Sequence, residues 1–363
     1  MEFLHDTMIL LPCEQVGKSG RGKKMPAAPE PPADVRTFME ELRNQTSYEI
    51  SSEVTKQLSL TYLCSCPFAH LNDSEMTVSR HLEEQPILIS TAHLLLAAHE
   101  KTGLANLIIL LPGMTTDASM EADQISTGRL YLDYDGTHDF YSLAHLAGEK
   151  LGLHLLDTPR AIIAMDRAGR SLEQLTPQEL EYYESLILGE AYDSKVVDYR
   201  IESRHAKESL SRNLHQYSYY DLYASSKILL LRLNDFSGQF SKNIRNEVSV
   251  LFVCNLIFLQ NAAVVQANQR IVHTLSKQEV LTLKQIETMH IHFGSTMFLR
   301  ERNVFRYVLV NQLAEAIEEA VESEKLMERY RLNQEHLEHI VNLKASRTAE
   351  RESKIINAVA SIK

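Results

Sequence analysis

Between Leu251 and Val265 the sequence runs almost wholly apolar, and whatever this chain folds into has to hide that segment. It lies inside a longer repeat in which Phe240, Ile244, Val248, Leu251, Phe252, Asn255, Leu259, Ala262, Ala263 and Gln266 recur at three and four residues, the spacing of one helix over Phe240 to Val272. A helix this apolar sits either in lipid or inside protein. Asn255, Gln260 and Asn261 interrupt the run, and Glu247 and Arg270 stand on either side of it. It is therefore too short and too polar to span about 30 Å of hydrocarbon. The expectation is a buried core helix and no transmembrane segment in this chain.

From about residue 205 onward proline nearly disappears and glycine is sparse, so helical spacing is expected to take over. Ile228 to Leu233 reads as a strand or a helix start. Ser276 and Glu279 have the spacing of a capping pair before Val280, Leu283, Ile286 and Met289. The last stretch, from Asn303, is the most regular: Leu313, Ile317, Ala320, Met327, Tyr330, Leu337, Ile340 and Val341 form an apolar seam, with Glu318, Glu322, Lys325, Glu328, Arg329 and Arg331 between them. Steps of three and four sustained this far describe a long amphipathic or coiled-coil helix. Such a helix is marginal alone, so the seam packs either on this chain or on another copy. Association into a homo-oligomer through these residues is the expectation carried forward.

The middle of the chain mixes periods. Ile87 to Ile89, Leu107 to Leu111, Leu130 to Leu132 and Ala161 to Ala164 are short apolar runs next to turn residues, as buried strands are. Ala92 to His99 and Phe140 to Leu156 look helical by contrast. A further helix follows, with Thr176 as cap, Pro177 in the first turn and Glu179 three residues past the cap. Alternation of this kind favours an α/β arrangement. Lys18, Arg21, Lys23 and Lys24, mixed with glycines and followed by Pro26, Pro29, Pro31 and Pro32, cannot bury enough apolar surface to offset the cost of ordering. The chain is accordingly divided into a flexible N-terminal segment (1–45), an α/β head (46–204) and a helical oligomerisation domain (205–363).

Acidic residues outnumber basic ones 48 to 37, for a net charge of -11. Nucleic acid is a poor partner for such a field. Four cysteines, two of them at Cys64 and Cys66, make neither a disulfide framework nor a zinc knuckle. That usage suits a reducing cytoplasm. The opening residues lack the cationic start of an export signal.

Chemistry-bearing clusters are few. His138, His145, Glu149 and His154 are the most suggestive, because on a helix His145 and Glu149 stand one turn apart and could share a metal face. Leu143 to Glu149 partly follows the zinc-peptidase order His-Glu-x-x-His, but Leu146 replaces the general base and Glu149 the second histidine. An ordinary amphipathic helix is the plainer account, with a third ligand needed from a distant segment such as His99 or Asp157. Asp133, Asp135, Gly136 and Asp139 fit a polar turn better than a calcium loop, whose twelfth position falls on Ala144. His290 with His292, and His336 with His339, are pairs without a third ligand. Phosphate-binding and hydrolase motifs are absent.

The last third, with Glu247-Val248-Ser249-Val250-Leu251-Phe252-Val253, then Tyr330 and Asn333-Gln334, then Arg351-Glu352-Ser353-Lys354-Ile355-Ile356-Asn357, resembles the cytosolic helical region of CorA-like cation transporters. The likeness covers at most about the last 120 residues and rests on no diagnostic motif. It implies a long helix of the kind that runs into a first membrane span. The family's Gly-Met-Asn pore signature and both spans are missing, which removes conduction by this chain. The expectation is a non-enzymatic interaction or regulatory protein, a homo-oligomer in the cytoplasm at the face of a membrane, with a membrane protein as partner. The alternative is a metal-dependent enzyme or sensor holding a divalent metal on His145 and Glu149.

Overall fold

The computed structural model describes residues 5–15, 29–50, 55–70, 87–100, 102–114, 130–134, 140–156, 161–166, 172–188, 215–217, 220–224, 228–233, 240–276 and 305–360. Among them lies one sheet of eleven strands, ordered β6-β5-β2-β3-β4-β1-β8-β11-β10-β9, with β7 beside the end of β1. The strands are β1 (His5–Gln15), β2 (Leu58–His70), β3 (Ile87–His99), β4 (Leu104–Met114), β5 (Leu130–Asp133), β6 (Phe140–Ser142), β7 (Leu153–Leu155), β8 (Ala161–Asp166), β9 (His215–Tyr217), β10 (Tyr220–Ala224) and β11 (Ile228–Leu233). Neighbours run antiparallel except β8 and β11, which are parallel. A mostly antiparallel sheet thus replaces the expected alternating α/β layers. A helical C-terminal region follows it.

The first strand corrects the expected N-terminal tether. Ile9 lies opposite Ile109 of β4 on one side and Ile162 of β8 on the other, so β1 is an interior strand. Met8, Ile9, Leu10, Leu11 and Cys13 are almost fully buried. Of the Lys/Gly/Pro stretch, residues 16–28 lie outside the described residues, and Pro32 directly precedes helix α1. The boundary drawn at residue 205 also moves, because β9, β10 and β11 belong to the sheet. Ile228 to Leu233 resolves as a strand.

Helix α1 (Ala33–Glu49) and the long helix α4 (Phe240–Ser276) cover one face of the sheet, α4 being joined there by α5 (Val308–Ala320). Val35, Met39 and Leu42 of α1, Val248 to Phe258 of α4 and Leu313 and Ile317 of α5 meet Met8, Leu10, Tyr62, Leu95, Ala97 and Ile108 from the strands. The opposite face is closed by a short helix α2 (Leu143–His145), its π-helical continuation Leu146–Lys150 and β7. Leu143, Leu146, Ala147, Leu151 and Leu153 press there on Ile9, Leu94, Leu107 and Ile109. Phe140 to Leu156, expected to be helical, is therefore strand, short helix and strand. Helix α3 (Pro177–Leu188) starts as expected: the Thr176 amide and hydroxyl donate to Glu179 Oε2 at 2.8 and 2.9 Å, and the Glu179 amide donates back to Thr176 Oγ1 at 3.3 Å.

The long C-terminal repeat is broken once. Helix α5 ends at Ala320, Glu322 takes φ of +55°, and helix α6 (Ser323–Ala360) starts. The first half of α6 lies on the second half of α4, where Met327, Tyr330 and Leu337 meet Val264 and Ile271. Within α4, Val248–His273 is long and apolar enough to cross a membrane by length and composition, and 89% of its most apolar window is buried within the chain.

Candidate functional site

Two polar constellations sit under α1 on the same face of the sheet. The first begins with a bulge in β2. Against β3, Tyr62 pairs with Leu95 and Cys64 with Leu94, leaving Leu63 as the extra residue. Strict alternation would send Tyr62 and Ser65 to opposite faces, and the inserted residue returns them to one. The Tyr62 hydroxyl and Ser65 Oγ then hydrogen-bond at 2.6 Å, and Ser65 Oγ meets Nδ1 of His93, its cross-strand neighbour, at 2.6 Å. Burial holds His93 below the ordinary histidine range, while the Asp34 carboxylate at the start of α1 pulls the other way. Burial raises the Tyr62 phenol, and its bond to Ser65 works against that.

The second constellation is a cavity of about 290 Å³ between α1, the start of β2, Ala97 of β3 and the middle of α4. Its floor is Leu42, Leu58, Leu60, Ala97 and Phe252, and its polar lining is Arg43, Thr46, Ser47, Thr55, Ser59 and Asn255. Asn255 is one of the residues that break the apolar run of α4. Its side-chain and main-chain oxygens both accept from Asn106 Nδ2 at 2.9 Å, a tie between the buried helix and β4. Asn106 Oδ1 is buried with no hydrogen-bond partner. Arg43 donates to the Leu60 carbonyl at 2.9 Å and is otherwise exposed at the rim.

The residues singled out from sequence fall elsewhere. His145 and Glu149 do come together, with Nε2 and Oε2 3.0 Å apart, and the His145 ring stacks on Tyr141. His154 is exposed on β7. His99 is buried and bonded to Thr102 and Gln57. His138, Asp157, Asp135, Asp139, His290 and His292 lie outside the described residues. Among the described residues no group of three or more His, Cys, Asp or Glu is placed to hold a metal ion. Of the seam, Leu313 and Ile317 are buried against α4 and Met327, Tyr330 and Leu337 against its far half. Ala320, Ile340 and Val341 are half-buried. Most of the seam is thus used within the chain.

Neither constellation was visible in the sequence. Ser65 and His93 are joined by a bulge, and Asn106 and Asn255 by packing over 149 positions. The only signal was a polar residue inside an apolar run, at Asn106 and again at Asn255. In comparisons with protein-family models, with curated proteins and with solved structures, nothing matches this chain.

Proposed function

We propose that this chain is a non-enzymatic assembly module, a sheet-based head from which a long helix extends to pair with further copies, similar in plan to the soluble part of a CorA-like membrane transport protein. The observation that supports it is the course of α6. As far as Val341 the helix packs on α4, and every later residue of α6 whose side chain is described is exposed, from Asn342 to Ile355. A helix of that length without packing is marginal in water. Leu332 and Leu343, 54% and 45% exposed, stand three turns apart along the helix, with the exposed His336 and His339 between them, and offer two apolar contact points to a second copy. On this reading the location is cytoplasmic, at the face of a membrane, with α4 as a core helix and a membrane protein as further partner.

Light scattering of the full chain at micromolar concentration tests it. An oligomer is expected, and the double change Leu332→Glu with Leu343→Glu should convert it to monomer without lowering the melting temperature. A full chain that is already monomeric sinks the proposal. The 3.0 Å pair of His145 and Glu149 favours the alternative, a metal-dependent enzyme or sensor. That alternative requires about one metal ion per chain in the purified protein, lost when both residues become Ala.

A further inference from the structure

We propose that the cavity under α1 binds a small amphipathic monoanion, a carboxylate carried on a short aliphatic or aryl body. The inference stands apart from the assembly reading, since it uses a different part of the molecule. Size comes first. At about 290 Å³ the cavity is roughly twice the ~150 Å³ that suffices for benzene in an apolar protein interior. Water can be held along its polar side, whereas the wall of Leu42, Leu58, Leu60, Ala97 and Phe252 offers a water none of the two to four polar partners it needs and suits an apolar body.

Polarity fixes the rest of the ligand. The buried end, at Ala97 and Phe252, is apolar, whereas the rim carries Arg43 and Ser47, both exposed, with Thr46 and Ser59 beside them. No carboxylate belongs to the described lining, and Arg43 is its one charge. The bond to the Leu60 carbonyl engages one of the five guanidinium N–H donors and fixes the fork at the mouth. A planar anion suits that fork, with serine hydroxyls as further donors. A neutral hydrocarbon would use neither the Arg43 fork nor the hydroxyls, and a polyanion would meet only one positive group. Asn255, 8% exposed and tied to Asn106, gives the deep wall a fixed polar point beside the apolar floor.

Calorimetric titration of the full-length protein with octanoate and hydrocinnamate, and with octanol as the neutral counterpart, tests the assignment. Saturable submillimolar binding of at least one carboxylate is expected, with octanol at least about tenfold weaker. Arg43→Gln, at the exposed rim where folding is not at stake, should weaken the carboxylate at least about tenfold and leave octanol unchanged. Ser59→Met, which pushes a side chain into the space from a half-buried position, should weaken both. No saturation by either carboxylate up to about 10 mM overturns the proposal. So does equal binding of octanol and octanoate, or a carboxylate affinity that ignores Arg43→Gln.

Discussion

Buried polar residues set the chain's most testable single-site energetics. Asn106 donates twice to Asn255 across the interface between β4 and α4. Asn255→Ala removes one acceptor, leaves the Asn106 amide half-satisfied inside the core, and should cost about 1–3 kcal/mol in urea unfolding. Glu49 is 3% exposed, accepts from the Tyr307 amide at 3.3 Å and from Gln45 at 3.3 Å, and burial raises its carboxyl above the ordinary range. A raised acid binds its proton more tightly folded than unfolded, so stability falls as pH climbs from the ordinary value of 4.5 through the raised one. Glu49→Gln, with Gln45 free to turn its amide over, should therefore raise the unfolding midpoint at neutral pH and not at about pH 3. His93 works in the opposite sense. Its folded value lies below 6.5, so the unfolded chain takes up the proton first, and stability present above the ordinary histidine value is lost as pH falls through that window. Replacing His93 by Gln should flatten the slope of stability between about pH 5 and 7, and an unchanged slope would rule His93 out as its source.

At the scale of elements, the strand least visible in the sequence carries the most. β1 is hydrogen-bonded to β4, β8 and β7, and Ile9 at its centre is 0% exposed. Ile9→Ala should cost about 2–5 kcal/mol, measured as a shift in the urea midpoint. Composition concealed this strand because the apolar run Ile9, Leu10 and Leu11 is short and a Lys/Gly/Pro stretch starts at Gly17, so that the run reads as part of the tether. β3 was half legible for a related reason. Ala92, Leu94, Leu96 and Ala98 meet one core and Leu95 and Ala97 the other, so a strand covered on both faces loses its alternation and imitates an alanine-rich helix. β4, β5, β8, the start of α3 and the whole of α4 followed their local patterns, since turn residues, a capping pair or an unbroken period marked them. The break at Glu322 left no mark. Residues on either side keep the same three-and-four spacing, and only the φ of +55° separates α5 from α6. The site was less legible than the fold, because a bulge and a helix crossing bring its residues together and neither has a sequence period.

At the scale of the whole molecule the two halves of α6 belong to different energetic regimes. Up to Val341 the helix shares a core with α4: Met327, Tyr330 and Leu337 are at most 8% exposed, Asn333 donates to Asn268 Oδ1 at 2.6 Å, and Asn261 donates to Ser323 at 3.0 Å. Beyond it every described side chain is exposed, and among these residues helix propensity and surface pairs contribute a few tenths of a kcal/mol each. Ending the chain after Lys344 should therefore change the stability of the head by less than about 1 kcal/mol, while Met327→Ala within the full chain should cost about 2–5 kcal/mol. Urea unfolding of the two proteins at a concentration where both are monomeric gives the comparison. If the shortened chain is the less stable of the two, the outer half of α6 is held by contacts of its own within one copy.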